Sequence, residues 1–144
     1  MDRNYESNAY LFSSFKKLEK AYTEYLLKTL GKYHLSPNEI EVICALPFTP
    51  SAREIVVMTD VSKGLVSRSV QSLRSKGYIT ATVSSKDKRE QHLALTDDGE
   101  SIRLKIEEAR SEFFKKAFQH YEGTERAVFE ALVKMLTKNL EIDT

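Results

Sequence analysis

Apolar residues recur along this chain at two periods, and the change between them divides it into elements. Leu11, Phe15, Leu18, Tyr22, Tyr25 and Thr29 follow at spacings of four and three, with Phe12, Leu26 and Leu30 widening the stripe. That period lays an apolar face along an α-helix, and Gly31 is a suitable stop. Ser36-Pro37-Asn38-Glu39 predicts a second helix start: a Ser cap, Pro at the first helical position and Glu three residues after the cap. Ile40, Ile43, Cys44 and Leu46 form its apolar face, and Pro47 and Pro50 end it and bracket a turn.

Residues 51–58 predict a short helix with Ile55 and Met58 inward, followed by a turn at Thr59-Asp60-Val61. Ser62 caps a helix that runs to about Ser75. In it Val66, Val70 and Leu73 share one face, while Gly64, Ser67, Arg68, Gln71 and Ser75 fall opposite. Gly77 suits the left-handed position just past its end. From Tyr78 the period becomes two. Ile79, Ala81 and Val83 alternate with threonines, 84–90 is polar, and Leu93 and Leu95 share a face on the return, so a hairpin with a charged tip is predicted. Thr96 caps a further helix, with Asp97 and Asp98 suited to its first turn. Ile102, Ile106, Ala109, Phe113 and Ala117 give that helix its stripe, and Gly123 breaks it. A last helix carries Val128, Phe129, Leu132, Met135, Leu136 and Leu140.

The expected fold class is therefore mainly α with a small β-hairpin: a helix-turn-helix and its wing, flanked by N- and C-terminal helices. Seven aromatic residues precede residue 35 and five lie between 113 and 129. Terminal helices this apolar are expected to pack on each other and, across a two-fold axis, on a second copy of the chain. The predicted division is 1–35 as an N-terminal dimerisation helix, 36–99 as the winged domain and 100–144 as C-terminal dimerisation helices.

Length and cysteine content narrow the classes. At 144 residues the chain buries enough surface to fold without a disulfide or metal. Its single cysteine, Cys44, excludes an intramolecular disulfide and fits a reducing compartment. The N-terminal residues carry charges and no apolar signal-peptide core, and no run approaches the ~18 apolar residues of a membrane span. A soluble, cytoplasmic protein with no membrane partner is expected. The formal net charge is only +1. Residues 51–90, however, hold eight basic and four acidic residues, against fourteen and seventeen in the remainder. Positive potential is thereby concentrated on the predicted helix-turn-helix and hairpin.

That placement supplies what a DNA reader needs. Gly64 removes side-chain bulk where a helix N-terminus approaches a duplex. Ser62 and Ser67 can donate to phosphate or a base edge, Lys63 and Arg68 can neutralise phosphates, and Arg68 can also bond guanine bidentately. Gln71 lies on the same face. Lys86, Lys88 and Arg89 place cations at a tip able to reach an adjacent minor groove. Asp87 either holds that turn or orients Arg89 through a charge-assisted hydrogen bond.

These residues make the chain resemble the MarR family of bacterial transcription regulators. The resemblance is carried by Glu54-Ile55, by Val61-Ser62-Lys63-Gly64-Leu65-Val66-Ser67-Arg68, and by Leu73 and Lys76-Gly77-Tyr78-Ile79. It continues through Asp87-Lys88-Arg89, Leu93-Ala94-Leu95-Thr96 and Gly99. Two features depart from it: Ile55-Val56-Val57-Met58-Thr59 is more apolar than usual, and Gly64 replaces a more common Ser. The resemblance implies a homodimeric regulator, by expectation a repressor. Its recognition helices, 62–75, would enter successive major grooves of a pseudo-palindromic double-stranded DNA operator, with the wings, 84–90, at the minor groove. It also implies release by a small lipophilic or phenolic effector, for which Tyr22, Tyr25 and Phe113 are candidate pocket residues.

Other classes find less in the sequence. No Gly-rich phosphate loop, nucleophile elbow or nucleophile–base motif is present, so neither an enzyme nor a cofactor is expected. His34, His92 and His120 are far apart and no Cys/His pair has metal spacing, leaving Glu41, Cys44 and Glu107 or Glu108 as the one grouping to weigh; no metal is expected. The rival readings are a winged helix that binds protein instead of DNA and a redox switch at Cys44. Cys44 shares its apolar face with Ile40 and Ile43, which favours inert packing.

Overall fold

The computed structural model describes residues 3–83 and 91–142. The chain is mainly helical: α1 (Arg3–Thr29), a 3₁₀ turn (Gly31–Tyr33), α2 (Pro37–Ala45), α3 (Ala52–Thr59), α4 (Lys63–Ser75), β1 (Ile79–Val83), β2 (Gln91–Leu95), α5 (Asp97–Ala117) and α6 (Thr124–Ile142). β1 and β2 form an antiparallel pair, Ile79 opposite Leu95 and Val83 opposite Gln91. Two compact units are present, Met1–Ala109 and Arg110–Thr144.

Local chemistry accounts for the helix starts. Ser36 Oγ accepts the Glu39 N–H at 3.1 Å while Glu39 Oε1 accepts the Ser36 N–H at 3.0 Å, the reciprocal capping box with Pro37 behind it. Ser51 and Ser62 cap α3 and α4 by accepting the N–H groups of Glu54 and Leu65. The turn between α3 and α4 is made by Asp60 in the left-handed region (φ 58°), a conformation Asp tolerates better than most side chains. Gly77 takes the same region after α4 (φ 82°).

The core of the first unit is built where these helices meet the hairpin. Val42, Ile43, Ile55, Val66, Leu73 and Leu93 are almost wholly buried there, and each such side chain contributes roughly 1.5–3 kcal/mol by leaving water. Met58, expected inward, is instead 53% exposed. Ile55 is the buried residue of α3, with Val56 and Thr59 half-buried. Thr59 is half-buried because its hydroxyl donates to the Ile55 carbonyl at 2.6 Å, which satisfies the polar group. A second difference lies in the other unit. α5 stops at Ala117, not at Gly123, and turns through Phe118–Tyr121 with His120 left-handed (φ 75°). Phe118 there meets Phe129 of α6 edge-on at 5.4 Å, so an aromatic contact decides where that helix ends.

Two contacts set the position of α4 and the hairpin. Glu39 Oε2 accepts from Lys76 Nζ at 2.8 Å and from Ser72 Oγ at 3.1 Å, and Lys76 also donates to the His34 carbonyl at 2.8 Å. The first turn of α2 is thus tied to the end of α4. Burial alone would raise the Glu39 pKa. The Lys76 hydrogen bond, the Ser36 N–H, the Lys76 charge and Ser72 together outweigh it and hold the carboxyl below its ordinary value of 4.5. The other contact joins the hairpin to α5. Thr96 donates its N–H to the Tyr78 carbonyl (3.0 Å) and its hydroxyl to the Gly77 carbonyl (2.6 Å), and its Oγ caps α5 by accepting the Gly99 N–H (3.0 Å). A side chain on Gly99 would place its Cβ 2.1 Å from that same Tyr78 oxygen.

The Tyr78 carbonyl is backbone held by Thr96, so Gly99→Ala is expected to destabilise the chain by about 1–3 kcal/mol or more, read by urea unfolding. An unchanged midpoint would show that the joint yields. For Glu39 the sign follows from its lowered pKa. Its contribution is present above pH 4.5 and is lost as pH falls through the lower folded value. Glu39→Gln is expected to cost roughly 1–3 kcal/mol at neutral pH and to flatten the acid limb of stability against pH below 4.5. A parallel acid limb in the variant would remove Glu39 from that dependence.

Candidate nucleic-acid interface

The two faces of α4 behave as opposites. Val66, Ser69, Val70 and Leu73 are buried against α2, α3 and β1. Ser62, Lys63, Gly64, Ser67, Arg68 and Gln71 are all exposed. The burial of one stripe therefore turns every residue predicted for the recognition helix outward. Ser62 Oγ uses an acceptor site to cap the helix through Leu65 N–H at 3.3 Å, which leaves its hydroxyl proton for an outside acceptor.

Among the described residues nothing in the chain explains Gly64. A Cβ built there meets nothing within 4 Å, and its φ is not positive. Gly64 lies in the first turn of α4, and no contact among the described residues requires the missing side chain. Gly99 is the contrasting case, where the fold itself needs the missing side chain.

The hairpin is held beside the helix-turn-helix by one backbone bond. The Leu93 N–H donates to the Pro50 carbonyl at 2.8 Å, fastening β2 to the turn ahead of α3. In that turn the Thr49 hydroxyl donates to the Glu54 carboxylate and accepts the Ser51 N–H. The wing residues Lys86, Asp87, Lys88 and Arg89 lie outside the described residues.

Between α3, α4 and β2 runs an open groove of ≈ 730 Å³. Lys63, Ser67, Gln71 and Arg74 line it from α4, spaced along one flank of the helix; Arg53 and Val57 line it from α3, and Gln91 and Leu93 from β2. Arg53 and Arg74 are absent from the residues predicted for the site. Helical spacing from Lys63 and Ser67 was enough to place Arg74 on this flank. Arg53 arrives there only through the packing of α3 on α4.

The candidate effector residues are distributed over both units. Tyr22 lines a cavity of ≈ 270 Å³ with Glu19, Leu26, Leu27, Ile40, Glu41 and Thr59. Tyr25 packs, half-buried, against the core, and Phe113 belongs to the second unit. Cys44 is half-buried on α2. Among the described residues no group of three or more His, Cys, Asp or Glu side chains could hold a metal ion, and no helix is long and apolar enough to cross a membrane.

Comparison with known proteins matches this geometry. Residues 35–90 match the model of the MarR family. No curated protein matches the chain by sequence. The chain is similar to a MarR transcriptional regulator from Methanosarcina mazei Go1, with a TM-score of 0.82 at 19% identity over 93% of this chain and 99% of that one. It is similar to a mutant MarR from E. coli complexed with operator DNA, with a TM-score of 0.77 at 19% identity over 94% of this chain and 99% of that one. A third likeness is to Bordetella bronchiseptica BpsR, whose DNA binding is regulated by 6-hydroxynicotinic acid, with a TM-score of 0.76 at 16% identity over 88% of this chain and 98% of that one. At these identities the structural likeness is one of fold, and the matched segment 35–90 takes in α2, α3, α4 and β1. The segment 35–90 thus matches the MarR family, and the chain as a whole shares the winged helix-turn-helix fold of MarR transcriptional regulators.

Proposed function

We propose that the chain represses transcription as a homodimer on a pseudo-palindromic operator, with α4 in the major groove, the wing 84–90 at the minor groove, and release by a small lipophilic effector. The observation that carries the reading is the outward face of α4. It combines cations and hydroxyls with a glycine that the fold itself does not require. Base edges and phosphates supply the missing reason for that glycine, because close approach of a helix to a duplex leaves no room for a side chain.

Dimerisation is supported by apolar surface that the single chain leaves in solvent. Tyr10, Leu11, Phe12, Phe15 and Leu18 are exposed on α1, and Leu132, Val133, Met135, Leu136 and Leu140 on α6. Stretches of that kind are uncommon on monomers and are removed by a partner. Two recognition helices related by a two-fold axis would read half-sites about one helical turn, ~34 Å, apart.

Support for an effector is the cavity beside Tyr22. Its walls come from α1, from the start of α2 and from Thr59 at the end of α3. A ligand seated there touches both a proposed dimerisation helix and the helix-turn-helix. It shifts the DNA-binding equilibrium only by the difference in its affinity for the two states. The similar BpsR has its DNA binding regulated by a small aromatic acid.

Footprinting on a duplex selected from a random pool is expected to protect two half-sites one turn apart. Arg68→Ala is expected to weaken binding to that duplex by roughly 1–3 kcal/mol and to relax specificity at one position of each half-site; unchanged affinity would remove Arg68 from the reading set. Gly64→Ala is expected to act in opposite directions on folding and binding. It raises thermal stability by up to ~1 kcal/mol and lowers affinity for the selected duplex. A variant that binds as tightly as the parent would show that nothing approaches Gly64 closely.

A further inference from the structure

We infer that the groove between α3, α4 and β2 seats the sugar–phosphate backbone of one DNA strand, with Arg53, Arg74 and Lys63 as its phosphate ligands. This rests on the DNA-reading role proposed above and adds Arg53 and Arg74 to it. Among the described residues, the groove is lined by three cationic side chains and by no carboxylate. Several cations elsewhere in the chain are paired, Lys76 with Glu39, Arg103 with Glu100 and Arg126 with Glu130. Among the described residues, Arg53, Lys63 and Arg74 have no acidic partner. A concave surface lined by charges of one sign focuses potential and draws in a counter-charge. The net charge of +1 makes this local, since the rest of the chain does not supply it.

The floor of the groove narrows the class of anion. Val56, Val57, Val66, Val70 and Leu93 are apolar lining, and Val57 is 82% exposed at the mouth. A free inorganic anion gains nothing from such a floor. A nucleic-acid strand alternates phosphates with largely apolar deoxyriboses, so it can meet the cationic rim and the valine floor together. Position agrees with chemistry. Lys63, Ser67 and Gln71 belong both to the groove and to the outward face of α4. A duplex that takes α4 into its major groove therefore brings one of its backbones alongside this cleft. Contacts of this kind position a protein without reading sequence.

The test measures binding across a range of salt for Arg53→Ala, Arg74→Ala and their lysine counterparts. The probes are a labelled random-sequence duplex and the duplex selected from a random pool. Each alanine variant is expected to bind both duplexes several-fold more weakly, by the same factor for the two. Each is also expected to flatten the plot of log affinity against log salt by about 0.9 for each phosphate that the variant no longer neutralises. The lysine variants keep the charge and retain the parent slope. Lys105→Ala, which removes a cation paired with Glu108 outside the groove, leaves the slope unchanged. An unchanged slope in the alanine variants, with the parent protein still binding, overturns the inference alone. So does a loss confined to the selected duplex, which would make the arginine a base reader. Absence of salt-dependent binding by the parent overturns the DNA-reading role, and this inference falls with it. Thermal midpoints matching the parent confirm that the variants are folded.

Discussion

Glu39 does two jobs with its two carboxylate oxygens, and the presentation of α4 depends on both. Oε1 closes the capping box at the start of α2, and Oε2 takes Lys76 and Ser72 from the end of α4. Both charges sit where helix ends favour them, an anion in the first turn of α2 and a cation just past α4. Lys76 uses another proton on the His34 carbonyl, so the segment between α1 and α2 is drawn into the same knot. Desolvation works against such a pair, and its hydrogen bonds have to offset that cost. The pair therefore acts more as a geometric constraint than as a reserve of stability. It sets where the end of α4 lies relative to α2, while the apolar stripe of Val66, Val70 and Leu73 sets its rotation.

The same economy of charge marks the functional surface. A net charge of +1 conceals two populations of cations. Lys76, Arg103 and Arg126 are engaged with carboxylates within the chain. Along α3 and α4, Arg53, Lys63, Arg68 and Arg74 have no such partner among the described residues. The groove, with three cations and no carboxylate in its described lining, is a locally cationic surface on a nearly neutral chain. It is the electrostatic form that sequence-independent affinity for DNA takes.

Glycine shows how far single residues can be read. Gly64 and Gly99 look alike in the sequence, each in the first turn of a helix. Their surroundings separate them. Gly99 is required by a backbone carbonyl 2.1 Å from where a Cβ would stand, so its reason is internal. Gly64 faces open space, which is why the reason proposed for it is a partner outside the chain.

Helix starts at Ser36, Ser62 and Thr96, the left-handed Gly77 and the two faces of α4 were legible in the sequence alone. Each depends on residues within a turn or two of one another, where capping chemistry and helical period leave few choices. Met58 was misplaced because a helix of eight residues has too few apolar positions to fix its rotation. Packing of α3 against α2 and α4 buried Ile55 and left Met58 exposed. The end of α5 was misplaced because Phe118 meets Phe129 on the next helix, a contact that no local signal announces. Arg53 and Glu39 are the functional counterparts of those misses. Glu39 reads locally as a cap, yet its second oxygen waits for a lysine 37 residues away. The sequence by itself determined the elements and the outward chemistry of α4, since both follow from neighbours along the chain. Only the tertiary structure decided which distant charges are joined and which are left facing a common groove, because that depends on how α3, α4 and the hairpin pack.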